Sequence, residues 1–179
     1  MKYKFTPFSQ NIIFLDTEFS SLNPYKGEIL SIGLVKPDGK ELYLEIEYNG
    51  PVDPWVKKNI LPTLKDKKVS RSVAIKKINQ FVGKKKPYVV AYVNQFDIIY
   101  MHKLFRSNNI KDLPFYWLPI DFASILFAMN LDPYTIGHAK SFFKEIGIDT
   151  KKFKHTHNAL DDARLLRELY LKMADKMSS

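Results

Sequence analysis

Asp16, Thr17 and Glu18 stand at the end of an apolar run, Ile12-Ile13-Phe14-Leu15. Four apolar residues in a row read as a buried strand. Side chains alternate along a strand, so Asp16 and Glu18 point to the same side. Two carboxylates placed together at the end of a core strand repel each other, and both are costly to desolvate. A cation between them offsets both costs, so the pair is a candidate metal site. An exposed strand end could carry the same three residues, and the rest of the chain decides between the two.

Three further acids fall where helices are expected. Asp97 lies at the start of a helical stretch, Phe96 to Arg106. At roughly 100° per residue, Tyr100, Met101, Leu104 and Phe105 share its face, and His102, Lys103 and Arg106 lie opposite. Asp97 is therefore inward, although its place near the helix start also suits an N-cap. The last helix, Asn158 to about Met173, holds two adjacent aspartates. Asp162 sits near the middle of a stripe formed by Ala159, Ala163, Leu165, Leu166, Leu169, Tyr170 and Met173. Asp161 falls on the flank with Arg164, Glu168 and Lys172 and reads as a solvated charge. Asp16, Glu18, Asp97 and Asp162 are thus four inward carboxylates. Oxygen ligands without thiolate suit Mg²⁺ or Mn²⁺. Four of them suit two ions about 3.5–4 Å apart, an arrangement that serves phosphodiester cleavage.

His157 precedes Asp162 by five residues. From the start of the helix it can reach the same site, and a neutral imidazole is a suitable general base for an attacking water. His155 is set aside as a neighbour, His102 lies on a polar helix face, and His138 has no carboxylate arranged around it.

These residues need a frame. Glu28 to Val35 reads as a second strand, Pro37-Asp38-Gly39-Lys40 as a hairpin turn, and Glu41 to Tyr48 as a third strand, giving an antiparallel meander. Asp53-Pro54 opens a short helix that stops near Pro62. Ser70 to Val82 is a second helix and Tyr88 to Val93 a fourth strand. Asp121 caps a helix that runs to Met129, and Gly137 to Ile146 forms another. The class is α/β around one mixed sheet, and residues 1–179 read as one domain.

Composition narrows the setting. No apolar run approaches the roughly 20 residues of a membrane span, and the first ten residues do not resemble a secretory signal. With no cysteine, disulfides, thiolate metal sites and a cysteine nucleophile are excluded. The expected location is the cytoplasm. A net charge of +9 favours a polyanion, nucleic acid first. An acidic cluster inside a basic chain suggests a floor for metal between walls that hold phosphate.

Asp16-Thr17-Glu18, Asp97 after Phe96, and the spacing from His157 to Asp162 resemble the three motifs of the DEDDh 3′–5′ exonucleases. Asp16-Thr17-Glu18-Phe19, Leu30-Ser31-Ile32-Gly33, Trp55 to Pro62, and Ala91 to Asp97 are similar to the small bacterial exoribonucleases of the RNase AS group. Ser20-Ser21-Leu22 departs from the run found in many DNA-processing relatives but keeps an apolar wedge at Leu22. The resemblance implies an RNase H-like fold, two Mg²⁺ ions with Mn²⁺ as a substitute, and a homodimer in many members. It makes Asp16, Glu18, Asp97 and Asp162 the metal ligands and His157 the base. Phe19, Leu22 and Phe96 are expected to meet terminal bases, and Lys154, with Lys151 and Lys152, the phosphate backbone.

The function expected is a metal-dependent 3′–5′ exoribonuclease that acts on single-stranded RNA or short oligonucleotides and releases nucleoside 5′-monophosphates. A DNA exonuclease and a non-catalytic nucleic-acid-binding module on the same fold are the alternatives. The aromatic segment Leu113 to Pro119 is open to packing, substrate or dimer roles.

Overall fold

The structure, a computed structural model, describes residues 7–136, 140–149, 151–152 and 155–178. Five strands form one mixed sheet: β1 (Ile12–Phe19), β2 (Ile29–Val35), β3 (Glu41–Glu45), β4 (Tyr88–Ala91) and β5 (Ile120–Asp121), in the order β3-β2-β1-β4-β5. The first three are an antiparallel meander, while β4 and β5 run parallel to β1. The helices are α1 (Pro54–Asn59), α2 (Arg71–Val82), α3 (Gln95–Arg106), α4 (Phe122–Ala128), α5 (Pro133–Ile136), α6 (Lys140–Glu145) and α7 (Ala159–Ser178).

Alternation along β1 divides the core in two. Ile13 and Leu15 face α2 and α3, packing with Ile32, Leu34, Ile78, Tyr100 and Phe105. Ile12 and Phe14 face the other way, against Phe122, Leu126, Leu166 and Tyr170 of α4 and α7. All seven residues of β2 are buried. Continuing the second face past Phe14, the period of two brings Asp16 and Glu18 under the start of α7. Opposite Asp16 in the register is Gly33, and α7 crosses the sheet there. A Cβ on Gly33 would overlap the Ala159 carbonyl and come within 2.6 Å of the Leu160 nitrogen. The lack of a side chain at Gly33 is what lets this helix approach.

Most element boundaries match the expectation within a few residues. Ser70 caps α2, its hydroxyl accepting from the Val73 amide, and the Asp121 carboxylate accepts from the Ser124 amide to cap α4. The third strand is shorter than Glu41 to Tyr48. Beyond Glu45 the chain turns to pair with Val69, through Glu47 N–H to Val69 O and an isolated bridge at Ile46. The fourth ends at Ala91 rather than Val93, where Val93 adopts φ +55° and turns the chain into α3. Neither β5, only two residues long, nor α5 has a sequence pattern long enough to read. The expected helix start at Gly137 lies outside the described residues. Among the described residues, no helix is long and apolar enough to cross a membrane.

Candidate active site

Three elements bring the acids together. The end of β1 supplies Asp16 and Glu18, the first turn of α3 supplies Asp97, and the first turn of α7 supplies Asp162. Oxygens of Asp16, Glu18 and Asp162 all lie within 4.8 Å of one another. Asp97 extends the cluster from the far side of β1, accepting a hydrogen bond of 2.7 Å from the Thr17 hydroxyl. Asn94, not Asp97, occupies the N-cap position of α3. On α7 the two neighbours separate as the helical stripe requires: Asp162 is 7% exposed, while the carboxylate of Asp161 pairs with Arg164 at 2.8 Å outside the core.

The electrostatics are those of crowded, enclosed acids. Burial, followed by the charges of Asp97, Asp162 and Glu18, raises Asp16 well above the carboxylate range. Burial, with Asp162 next, pushes Glu18 up to about 8. Burial pushes Asp97 up to about 7 despite the opposing hydrogen bonds from Thr17. Asp16, Glu18 and Asp97 are costly to ionise, and the first two converge with Asp162 on one point; such an oxygen set fits a hard divalent cation, with Asp97 alongside.

Two histidines flank Asp162. The segment before α7 wraps around this carboxylate: the Thr156 amide donates to Oδ1 at 2.9 Å and the His157 amide to Oδ2 at 3.1 Å. His155 Nδ1 is 3.0 Å from the same Oδ2, and that bond raises the His155 imidazole above its ordinary value. His157 takes φ +55°; its ring lines the cavity, edge-on to Trp55 at 5.1 Å between centroids. Its carbonyl is held in turn: the Thr63 hydroxyl lies 2.9 Å from it and 2.9 Å from the Ile60 carbonyl. The loop after Thr63 is pinned by buried Glu45, whose Oε1 accepts from the Lys65 and Asp66 amides at 2.7 and 2.9 Å.

The cluster opens into a cavity of about 530 Å³. Its floor is Asp16, Glu18, Asp97 and Asp162, and its walls include Phe19, Leu22, Trp55, Val56, Ile60, Val93 and Phe96, with His155 and His157 at one side. Phe19 stacks on Tyr100 at 4.6 Å and leans on Phe96 at 5.8 Å, so it serves packing and wall at once. Leu22 is 62% exposed at the rim. Lys154 lies outside the described residues. Sequence reasoning passes over His155, Thr63 and Trp55 as site residues. His155 carried one usable signal, its His-x-His spacing to His157. Thr63 carried none, because its partner is 94 residues away.

Solved structures share this arrangement of elements. The nuclease domain of 3′hExo, a DEDDh family member bound to rAMP, aligns with a TM-score of 0.69 at 14% identity, covering 92% of each chain. The zinc-bound form of the E. coli exonuclease I–ssDNA complex aligns with a TM-score of 0.69 at 15% identity, over 92% of this chain and 40% of that one. E. coli exonuclease I in complex with a dA16 oligonucleotide gives a TM-score of 0.69 at 13% identity, with this chain spanning 41% of its length. At these identities the likeness establishes the fold, an RNase H-like exonuclease fold. No curated protein sequence matches. The RNase T exonuclease family model matches residues 13–170, a span that holds every site residue described above. This protein is accordingly a member of the exonuclease family and a nuclease.

Proposed function

We propose that the protein is a metal-dependent 3′–5′ exoribonuclease that shortens single-stranded RNA from its 3′ end, in the RNase AS-like branch of the DEDDh superfamily. The observation that carries this reading is the convergence of Asp16, Glu18 and Asp162 at the floor of an apolar-walled cavity with His157 beside them. Exonucleases of this family generally use divalent metal ions. Held by these carboxylates, two Mg²⁺ ions would supply positive charge to the scissile phosphate and to the leaving oxygen. The remaining work falls to the chain. Burial raises the proton affinity of Glu18 and Asp97, so uptake of a cation by this site displaces protons from them. The His157 imidazole accepts a proton from the attacking water, whose oxygen bonds to phosphorus as the bond from phosphorus to the 3′ oxygen breaks. The products are a nucleoside 5′-monophosphate and a chain one residue shorter with a free 3′ hydroxyl.

Substrate binding follows from the walls. Phe19, Phe96 and the exposed tip of Leu22 offer stacking and wedging surfaces to the terminal bases. The +9 charge favours the polyanionic chain. The choice of RNA over DNA rests on the sequence motifs shared with the RNase AS group. It also accords with the rAMP bound by 3′hExo, although the exonuclease I structures hold DNA.

The test is a gel assay with 5′-labelled single-stranded RNA and DNA of equal sequence, in Mg²⁺, beside EDTA and Asp162→Ala controls. A ladder that recedes from the 3′ end, faster for RNA and abolished in both controls, is the expected result. Faster DNA shortening would reassign the substrate. Binding without shortening, in Mn²⁺ as well, would replace the enzyme reading with the binding module.

A further inference from the structure

Three side chains beside the carboxylate floor form a donor set of different chemistry. His155, His157 and Asp162 place a ligating atom each within 4.8 Å of one another. The two rings meet edge to face with centroids 4.3 Å apart. A zinc-type ion sits about 2.0–2.2 Å from imidazole nitrogen and carboxylate oxygen, so tetrahedral donors stand roughly 3.3–3.6 Å from each other. His155 Nδ1 and Asp162 Oδ2, at 3.0 Å, are already near that separation. The His157 backbone beside this set is held at its amide by the Asp162 carboxylate and at its carbonyl by the Thr63 hydroxyl. His155 is 38% exposed at the side chain and borders the cavity, which supplies a route for an ion.

We propose that His155, His157 and Asp162 form a second site, sharing Asp162 with the carboxylate floor, for one zinc-like divalent cation, and that filling it withdraws His157 from proton transfer. The two sites divide by ligand type. Asp16, Glu18 and Asp162 offer oxygen only and suit hard ions, whereas two imidazoles and one carboxylate favour Zn²⁺ over Mg²⁺ by both softness and the general affinity order. Three protein ligands leave a fourth position for water. Asp162 is common to both sites. The consequence for catalysis rests on the exonuclease reading, but the binding of the ion does not.

The deciding experiment titrates the full chain with Zn²⁺ in saturating Mg²⁺, following binding with a competing chromogenic chelator. The expected result is one Zn²⁺ per chain that Mg²⁺ does not displace. Its affinity falls at least tenfold, about 1.4 kcal/mol, in His155→Gln and in His157→Gln, and survives in Asp16→Asn. Trp55 gives a second readout. In a Trp117→Phe background it is the sole indole, and its emission should change as Zn²⁺ binds to the ring it touches. Zn²⁺ that Mg²⁺ displaces competitively, or that binds His155→Gln as tightly as the unmodified chain, overturns the proposal. So does Zn²⁺ binding that Asp16→Asn abolishes. Should the gel assay show shortening, micromolar Zn²⁺ is expected to inhibit it in Mg²⁺, with His155→Gln at least tenfold less sensitive. Should the assay show none, the chelator titration still decides the site.

Discussion

Replacing Glu18 with glutamine tests the claim that this acid is held in a place hostile to its charge. Glutamine matches glutamate in shape and keeps the side chain polar but never ionises. In the folded chain burial and Asp162 move Glu18 from 4.5 to about 8. A carboxyl whose folded value is raised binds its proton more tightly folded than unfolded. Its contribution to stability is therefore present in full below about pH 4.5 and is lost as pH rises towards 8. For a shift of this size the loss at pH 8 is on the order of 4 kcal/mol, against a total stability of about 5–15 kcal/mol for a typical domain. In EDTA both proteins should weaken between pH 5 and pH 8, the unmodified chain by more than Glu18→Gln. Asp16 and Asp97, raised by burial, and His155, raised by its bond to Asp162, lose stability in the same direction in both proteins, so the difference between the two is the quantity to read. Urea denaturation at pH 5, 6.5 and 8 gives it directly. Mg²⁺ or Mn²⁺ should remove most of the loss in the unmodified chain, by replacing the protons with a better-matched charge, and less in the variant. A difference that does not change from pH 5 to pH 8 would refute the electrostatic account of the site.

Two other perturbations probe how the site is held. Gly33→Ala puts a Cβ into the backbone of α7 at Ala159 and Leu160. It should cost about 1–3 kcal/mol and weaken divalent-ion binding as Asp162 shifts; an unchanged Tm would show that the helix has room to yield. Thr63→Val removes the hydroxyl at the His157 carbonyl. Loss of one hydrogen bond of about 1 kcal/mol should lower kcat roughly fivefold with little change in KM, and Thr63→Ser should restore it; equal kcat in the valine variant would remove Thr63 from the positioning of His157.

Local periodicity determined a large part of this protein. A period of two is enough to put Asp16 and Glu18 on one side of β1, and the structure finds their carboxylates together. A period of 3.6 is enough to choose between adjacent aspartates, and Asp162 is buried while Asp161 pairs with Arg164 at the surface. The same reasoning placed Asp97 on the inward face of α3, where it is 6% exposed. These inferences hold because the chain geometry that fixes a side chain's direction spans only a few residues.

Tertiary structure decided what regular geometry does not reach. Residues 155–157 belong to no helix or strand, so no period foretells that Thr156 and His157 turn their amides onto Asp162, or that His155 closes on it as well. Thr63 and Gly33 act on the segment before α7 and on its first turn from far along the chain, and their roles exist only once the helix crosses the sheet. Gly33 looked like any glycine in a buried strand, yet the missing Cβ sets how near Asp162 comes to Asp16. The types and spacing of the acids are local properties. The few ångströms between them depend on packing of distant segments, which no short stretch of residues encodes.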